Sequence, residues 1–162
     1  MSYIRLAKIE DTESIVNLYK TLIGTPGCAW STEYPTITEV RNDINTSSLY
    51  CVCDDNDNII AAAAAGYDSE LEHLSWNPMM KNPCELARVG VKQSMQNQGL
   101  GYIIVEYVIK DVKKRGFDGI RMLVSKANPS ALSLYEKLKF QCCGETRMYD
   151  IDWFCYEMVL QD

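Results

Sequence analysis

Apolar and polar residues alternate over YIRLAK (3–8), as on a strand with one buried face. The period then changes. Ile15, Leu18, Tyr19 and Leu22 recur at helical spacing on one face, and Asp11 stands where a helix cap is wanted. GTPG (24–27) ends that helix and opens a loop. Thr36 and Glu39 form a capping-box pattern before a second short helix that reaches the neighbourhood of Asn45. LYCVCD (49–54), the polar turn DNDN (55–58) and IIAAAAAGY (59–67) read as a hairpin. The alanines of its second arm are small enough for close packing on both faces. Residues 69–83 fit no single element, because Pro78 and Pro83 interrupt it. ELARVGV (85–91) is a strand, and QNQGLG (96–101) is a loop that opens a helix. That helix carries Val105, Val108 and Val112 at helical spacing. Lys113, Lys114 and Arg115 face its negative dipole end, and Gly116 stops it. IRMLV (120–124) is the next strand. Asn128 then caps a helix with Pro129 at its first position, running close to Lys139. Strands near 141–148 and 153–160 finish the chain.

The order is strand, two helices, three strands, helix, strand, helix, two strands. It predicts a mixed α/β fold in a single domain over residues 1–162. One mostly antiparallel central sheet of about seven strands would be flanked by about four helices. The length of 162 residues suits one domain, and an apolar fraction of 47% is that of a globular protein.

Charge and composition narrow the chemistry. A net charge of −6 disfavours nonspecific nucleic-acid binding, which needs basic patches. No apolar run is long enough to cross a membrane. Met1 to Glu10 lack a signal-peptide pattern, so the cytoplasm is the expected compartment. The seven cysteines are then expected as reduced thiols. With no C-x-x-C pair and His73 as the lone histidine, neither a metal site nor a Ser-His-Asp triad is expected.

A strand that feeds a glycine-rich loop into a helix is an anion trap, since free N–H groups and the dipole both favour negative charge there. In QNQGLG, Gly99 would let a diphosphate approach the backbone and Gly101 would let the helix start pack closely. The loop is neither a Walker loop nor a dinucleotide fingerprint. A plain structural turn is its other reading.

Gln96, Gly99 and Gly101 match the Q/R-x-x-G-x-G/A signature, and the chain here resembles the GNAT superfamily of acetyl-CoA-dependent N-acetyltransferases. NPSALSLYEKLKF (128–140) resembles that family's second signature, N-x-x-A-x-x-x-Y-x-x-x-G-F. The two begin 32 residues apart (128 − 96), with one helix and one strand between them. The resemblance implies acetyl-CoA as cofactor, its diphosphate on the backbone of Gln96, Asn97, Gln98, Gly99, Leu100 and Gly101, with Tyr102 also at the cofactor. It implies pantetheine along Val89, Gly90 and Val91, with oxyanion N–H groups from that stretch and Gly90 compatible with a bulge. It places Asn128 near pantetheine and the Tyr135 hydroxyl near the sulfur, as the acid that protonates the thiolate. The other reading of Tyr135 is packing beside Leu134 and Leu138. Glu85, eleven residues before Gln96, stands at the spacing of the base in the histone-acetyltransferase branch. Its other readings are an exposed strand end or a partner for Arg88. A second branch has a glutamate five residues before the motif asparagine, where this chain has Leu123.

Three positions depart from the pattern. Gln98 replaces a frequent Lys or Arg, Gln93 a usual proline, and Lys139 the glycine before Phe140. The family binds its amine between the loop after the first helix and the last hairpin. Those segments offer Trp30, Tyr34, Tyr149 and Trp153, with Glu33, Asp150 and Asp152. Aromatic walls with carboxylates suit a protonated amine, although ordinary packing aromatics would look the same. The function implied is acetyl transfer to a primary amine, small molecule or peptide, by direct attack. The alternative is a catalytically silent acyl-CoA-binding sensor. Neither nucleic acid nor membrane is expected as a partner, and a homodimer is compatible with this reading.

Overall fold

The computed structural model describes residues 2–160. In chain order the elements are β1 (Tyr3–Leu6), α1 (Thr12–Leu22), α2 (Ile37–Asn45), β2 (Leu49–Cys53), β3 (Ile59–Gly66) and β4 (Pro83–Val91). There follow α3 (Leu100–Lys114), β5 (Gly119–Ser125), α4 (Pro129–Lys137), β6 (Gln141–Met148) and β7 (Ile151–Val159). They form one seven-stranded sheet in the order β1-β2-β3-β4-β5-β7-β6. Every neighbouring pair is antiparallel except β4 and β5, which run parallel. None of the described helices is long and apolar enough to cross a membrane.

The alanine run explains the two-layer packing. Ala61, Ala63 and Ala65 face a core built with Ile104, Val105, Val108 and Val112 of α3. Ala62 and Ala64 face a second core with Ile15, Leu18 and Tyr19 of α1 and Val40 of α2. Strand alternation sends successive alanines to opposite faces. Their small size lets both helical layers approach the middle of the sheet.

The local signals were mostly those the sequence displays. Thr36 and Glu39 do form a reciprocal capping box, and the Asn128 side chain accepts from the N–H of Ala131 at 3.1 Å. Asp11 differs. It precedes α1 without capping it. Its carboxylate instead accepts from the N–H of Lys8 at 2.7 Å and pairs with Arg5.

Residues 67–82, which take in most of the 69–83 stretch that fits no single element in the sequence, form a strap over the sheet. Backbone N–H groups fasten it to buried or half-buried carboxylates: Asp68 to Glu85 at 2.6 Å and Asn77 to Glu157 at 2.9 Å. Further along, Lys81 and Asn82 donate to Asp118 at 2.6 and 2.8 Å.

α4 ends in a left-handed cap. Lys139 sits at φ 73°, and the N–H of Phe140 reaches back to the carbonyl of Tyr135 at 3.0 Å. An exposed lysine in that conformation costs about 1 kcal/mol relative to glycine. Lys139→Gly should therefore raise the melting temperature by roughly 2–4 °C. Calorimetry showing no rise would mean the αL cap is unstrained.

Candidate active site

The site begins where two strands part. β4 pairs with β5 only through Pro83–Glu85 against Gly119–Arg121. On its other side the register with β3 shifts between Ala62 and Ala64. Arg88 and Val89 both stand opposite Ala63, and Arg88 adopts φ 51°. The extra residue resets the alternation. Leu86, Val89 and Val91 all pack toward the α3 core, while Gly90 turns to α1. A Cβ on Gly90 would lie 2.9 Å from Leu22 Cδ1. Gly90 thus permits close packing of α1, and the bulge expected there sits at Arg88.

The parting of β4 from β5 opens a groove of about 1040 Å³. Its walls come from both faces of the sheet. Leu86, Met122 and Val124 contribute from one, Trp30 and Trp153 from the other. Of the residues singled out in the sequence, Val89, Gly90, Val91, Gln96, Asn97, Gly99, Leu100, Gly101, Tyr102, Asn128 and Tyr135 line it. Gln98 is exposed outside it.

At one end the groove meets the start of α3. Gly99 precedes the helix at φ 82° and offers it no side-chain cap. Ile103 makes the first backbone bond into the helix, to the Gly99 carbonyl at 3.0 Å. The N–H groups of Leu100, Gly101 and Tyr102 therefore have no intrahelical acceptor. The dipole adds positive potential at the same place. Gln96 ties the loop to β4 by donating from Nε2 to the carbonyl of Val91 at 3.1 Å. Nothing lies within 4 Å of a Cβ on Gly99, so it is the left-handed backbone that calls for glycine. A Cβ on Gly101 would meet Leu134 of α4 at 3.4 Å, an ordinary contact. Residues with this geometry fit the diphosphate of acetyl-CoA.

Asn128 and Tyr135 lie along the same wall. Asn128 spends its side-chain oxygen on the cap of α4. The turn at Gly27 presses on it, because a Cβ there would sit 3.2 Å from Asn128. Tyr135 is 6% exposed and stacks edge-on with Phe140 at 5.6 Å. Its hydroxyl makes no hydrogen bond to another described residue. Burial pushes the phenol above its ordinary range, so the proton is held at neutral pH.

Glu85 is placed differently. It is buried and paired with Arg121 on the neighbouring strand. Its second oxygen accepts from the N–H of Asp68. Burial raises its carboxyl to about 7 against the opposing pull of Arg121. Arg121 also donates to the Asp68 carbonyl at 3.3 Å and lies 5.9 Å from the Trp76 ring centroid. Glu85 does not line the groove. Arg88, its partner in one of the alternative readings, pairs with Asp43. Among the described residues the groove wall carries no Asp, Glu or His.

On the acceptor side Trp30 and Trp153 reach the groove, and Trp153 is fixed by its Nε1 donating to the Met148 carbonyl at 2.9 Å. Tyr34, Tyr149 and Glu33 stand outside it. The Tyr34 hydroxyl accepts from Arg88 at 2.8 Å. Tyr149, at the β6–β7 turn, donates to Glu70 of the strap. The sequence reading missed Cys28, Leu86, Met122, Val124 and Ser125, which line the groove because the strands splay.

An open sheet with a cofactor-sized gap between two parallel strands, and a bare helix N-terminus at its end, defines an acyl-CoA transferase type of fold. The family model described as "Acetyltransferase (GNAT) family" matches residues 15–140, and the chain belongs to that family. The [ribosomal protein bS18]-alanine N-acetyltransferase of Escherichia coli (strain K12) is 36% identical over 64 residues. That match spans 40% of this chain and 43% of that protein. An N-acetyltransferase from Staphylococcus aureus Mu50 superposes with a TM-score of 0.78 at 19% identity, over 99% of both chains. A chain of a NatC complex bound to Gag peptide and CoA gives 0.78 at 18% identity, again over 99% of both.

Because Arg121 donates to Glu85 in a buried place, Glu85→Ala should leave the guanidinium without its acceptor. The expected loss is about 3 kcal/mol, or a fall of roughly 6–12 °C in melting temperature. A calorimetric change of less than a degree would show that the pair carries little.

Proposed function

We propose that the chain transfers an acetyl group from acetyl-CoA to a primary amine that meets the thioester as its uncharged free base. The observation that carries this reading is the groove itself. It joins an anion cradle to a protonated, unbonded tyrosine hydroxyl, and among the described residues its wall holds no carboxylate or imidazole. The N–H groups at the start of α3 hold the diphosphate, and Val89 to Val91 flank the pantetheine. Acetyl-CoA supplies the activated acyl carbonyl. The amine lone pair attacks it, the C–N bond forms and the C–S bond breaks. Tyr135 passes its proton to the departing thiolate and is reprotonated as the amine proton is released to solvent. The seven free thiols and the need for acetyl-CoA fit a reducing, cytoplasmic setting.

A wall without a base favours acceptors that lose their proton readily. At neutral pH a free α-amine is on the order of 10²-fold more abundant than a free lysine side chain. The E. coli relative is named for acting on an alanine of a ribosomal protein, which supports a peptide α-amine here. Thiol release measured with a dipeptide amide and with an Nα-blocked lysine amide tests this. The α-amine should win by on the order of 10²-fold in kcat/KM at neutral pH. The acid limb of the profile should move with each acceptor's own pKa. A limb that stays put across acceptors and vanishes in Glu85→Gln would return the base role to Glu85. Tight CoA binding with no thiol release from any amine would favour a silent acyl-CoA-binding module, a reading that the base-free wall also permits.

Tyr135→Phe keeps the ring and removes the hydroxyl. Turnover should fall on the order of 10²-fold, with CoA affinity little changed. Turnover equal to wild type would show that Tyr135 only packs.

A further inference from the structure

The bulge that opens the groove rests on a residue ill suited to it. Arg88 holds φ 51°, a region that residues other than glycine rarely occupy unless their surroundings enforce it. Three side chains converge on this one residue. The hydroxyl of Tyr19, a residue 1% exposed, donates to the Arg88 carbonyl at 2.8 Å. Asp43 of α2, 4% exposed, takes Nε and a terminal nitrogen of the guanidinium at 2.7 and 2.9 Å. The Tyr34 hydroxyl accepts from the remaining nitrogen at 2.8 Å. Backbone and side chain are thus gripped together, from α1, from α2 and from the loop between them.

We propose that Asp43 and Tyr19 are positioning residues that hold Arg88 in its left-handed conformation, and so keep β4 bent away from β5 where the acyl group must enter. This deepens the reading of the groove as an acyl-CoA cleft and rests on it for its kinetic consequence. The pair acts on the β4 backbone and touches neither the cradle nor Tyr135. Loss of the grip should therefore lower kcat and leave affinity for CoA nearly unchanged. Through Tyr34 the same guanidinium also reaches the loop that carries Trp30.

The test uses glycine, which accepts positive φ without being held. Asp43→Asn should cut kcat by about 10-fold or more, since small misplacements of reacting groups cost that much. The double variant Asp43→Asn with Arg88→Gly removes both charges and lets the bulge persist unaided, so it should recover most of the lost turnover. Asp43→Asn with Arg88→Ala also removes both charges but makes the left-handed backbone unfavourable, and it should remain impaired. Recovery in both doubles would mean that charge balance alone matters, and recovery in neither would mean that the backbone conformation does not. Either result overturns the proposal. Hydrogen exchange over residues 84–92, followed without CoA, gives a reading independent of transfer. Exchange should be faster in Asp43→Asn and return toward wild type only in the glycine double. Equal exchange in all three variants defeats the positioning role even if the wild-type chain acetylates no amine. Failure of the wild type to bind CoA, with exchange as expected, would instead count against the cleft reading while leaving the clamp standing.

Discussion

β4 and β5 run side by side as parallel neighbours, yet they stay bonded only to the rung where Glu85 meets Arg121. Past that rung the bulge at Arg88 turns β4 toward β3 and α1, and nothing from β5 follows it. The groove exists because of this divergence. A parallel pair that stayed in register would have buried Val89, Val91 and Val124 against each other as ordinary core. The ion pair at the apex and the bulge above it do opposite work, one fastening the strands and the other separating them. Burying both members of the pair is costly, and their mutual attraction offsets that cost only when each also finds hydrogen bonds. Here the strap supplies them through the N–H and carbonyl of Asp68. The strap is in this sense part of the site's foundation.

The other end of the groove is governed by a helix that starts without a cap. Two other helix starts are satisfied by side chains, that of α2 by Thr36 and that of α4 by Asn128. At α3 the position before the first turn is a left-handed glycine, which contributes no side chain at all. Bare N–H groups in a turn facing a groove have water or a ligand as partners. The charge-poor loop fits the same picture. With Gln98 exposed and uncharged, attraction for an anion rests on backbone dipoles, which a diphosphate can approach because no Cβ intervenes.

Much of this was legible in the sequence, for identifiable reasons. The elements were readable because their periods are clean and their caps are local, and the two cofactor motifs because glycine and asparagine are used for backbone reasons that spacing preserves. The site between them was harder. Glu85 has the spacing of a base, but its environment is set by Arg121, thirty-six residues on, and by the strap. Neither is visible from local pattern. The alternation of ELARVGV was more telling than it looked. Leu86 and Val89 are three positions apart, an odd step, so a regular strand could not put both on one face, and an inserted residue is the simplest resolution. The bulge follows from that break and lies at Arg88, two residues before the glycine whose small size suggested it. Tyr34 and Tyr149 were read as wall residues from their type, whereas their hydroxyls serve as ties to Arg88 and Glu70.

The distribution of charge around the groove bears on how an amine could react there. Glu33, Glu70 and Asp150 stand on outer loops and Asp152 near the start of β7, all exposed to solvent, whereas among the described residues the wall inside has none of their kind. On the proposed function, a cationic amine would be drawn to the former by long-range attraction. Inside, with Trp30, Trp153 and Leu123 for neighbours, the ammonium form loses hydration without gaining a counter-charge. Desolvation of that sort lowers the pKa of an amine. The groove thereby favours the free base over the cation, doing by solvation part of what a carboxylate base would do by proton transfer. Leu123 stands where one branch of the family places a glutamate, so the same position supplies apolar surface here. The two arrangements reach the same end, a neutral nitrogen facing the carbonyl. They differ in which amines they tolerate: a carboxylate can strip a strongly basic amine, whereas desolvation suffices only for one whose proton is already loosely held.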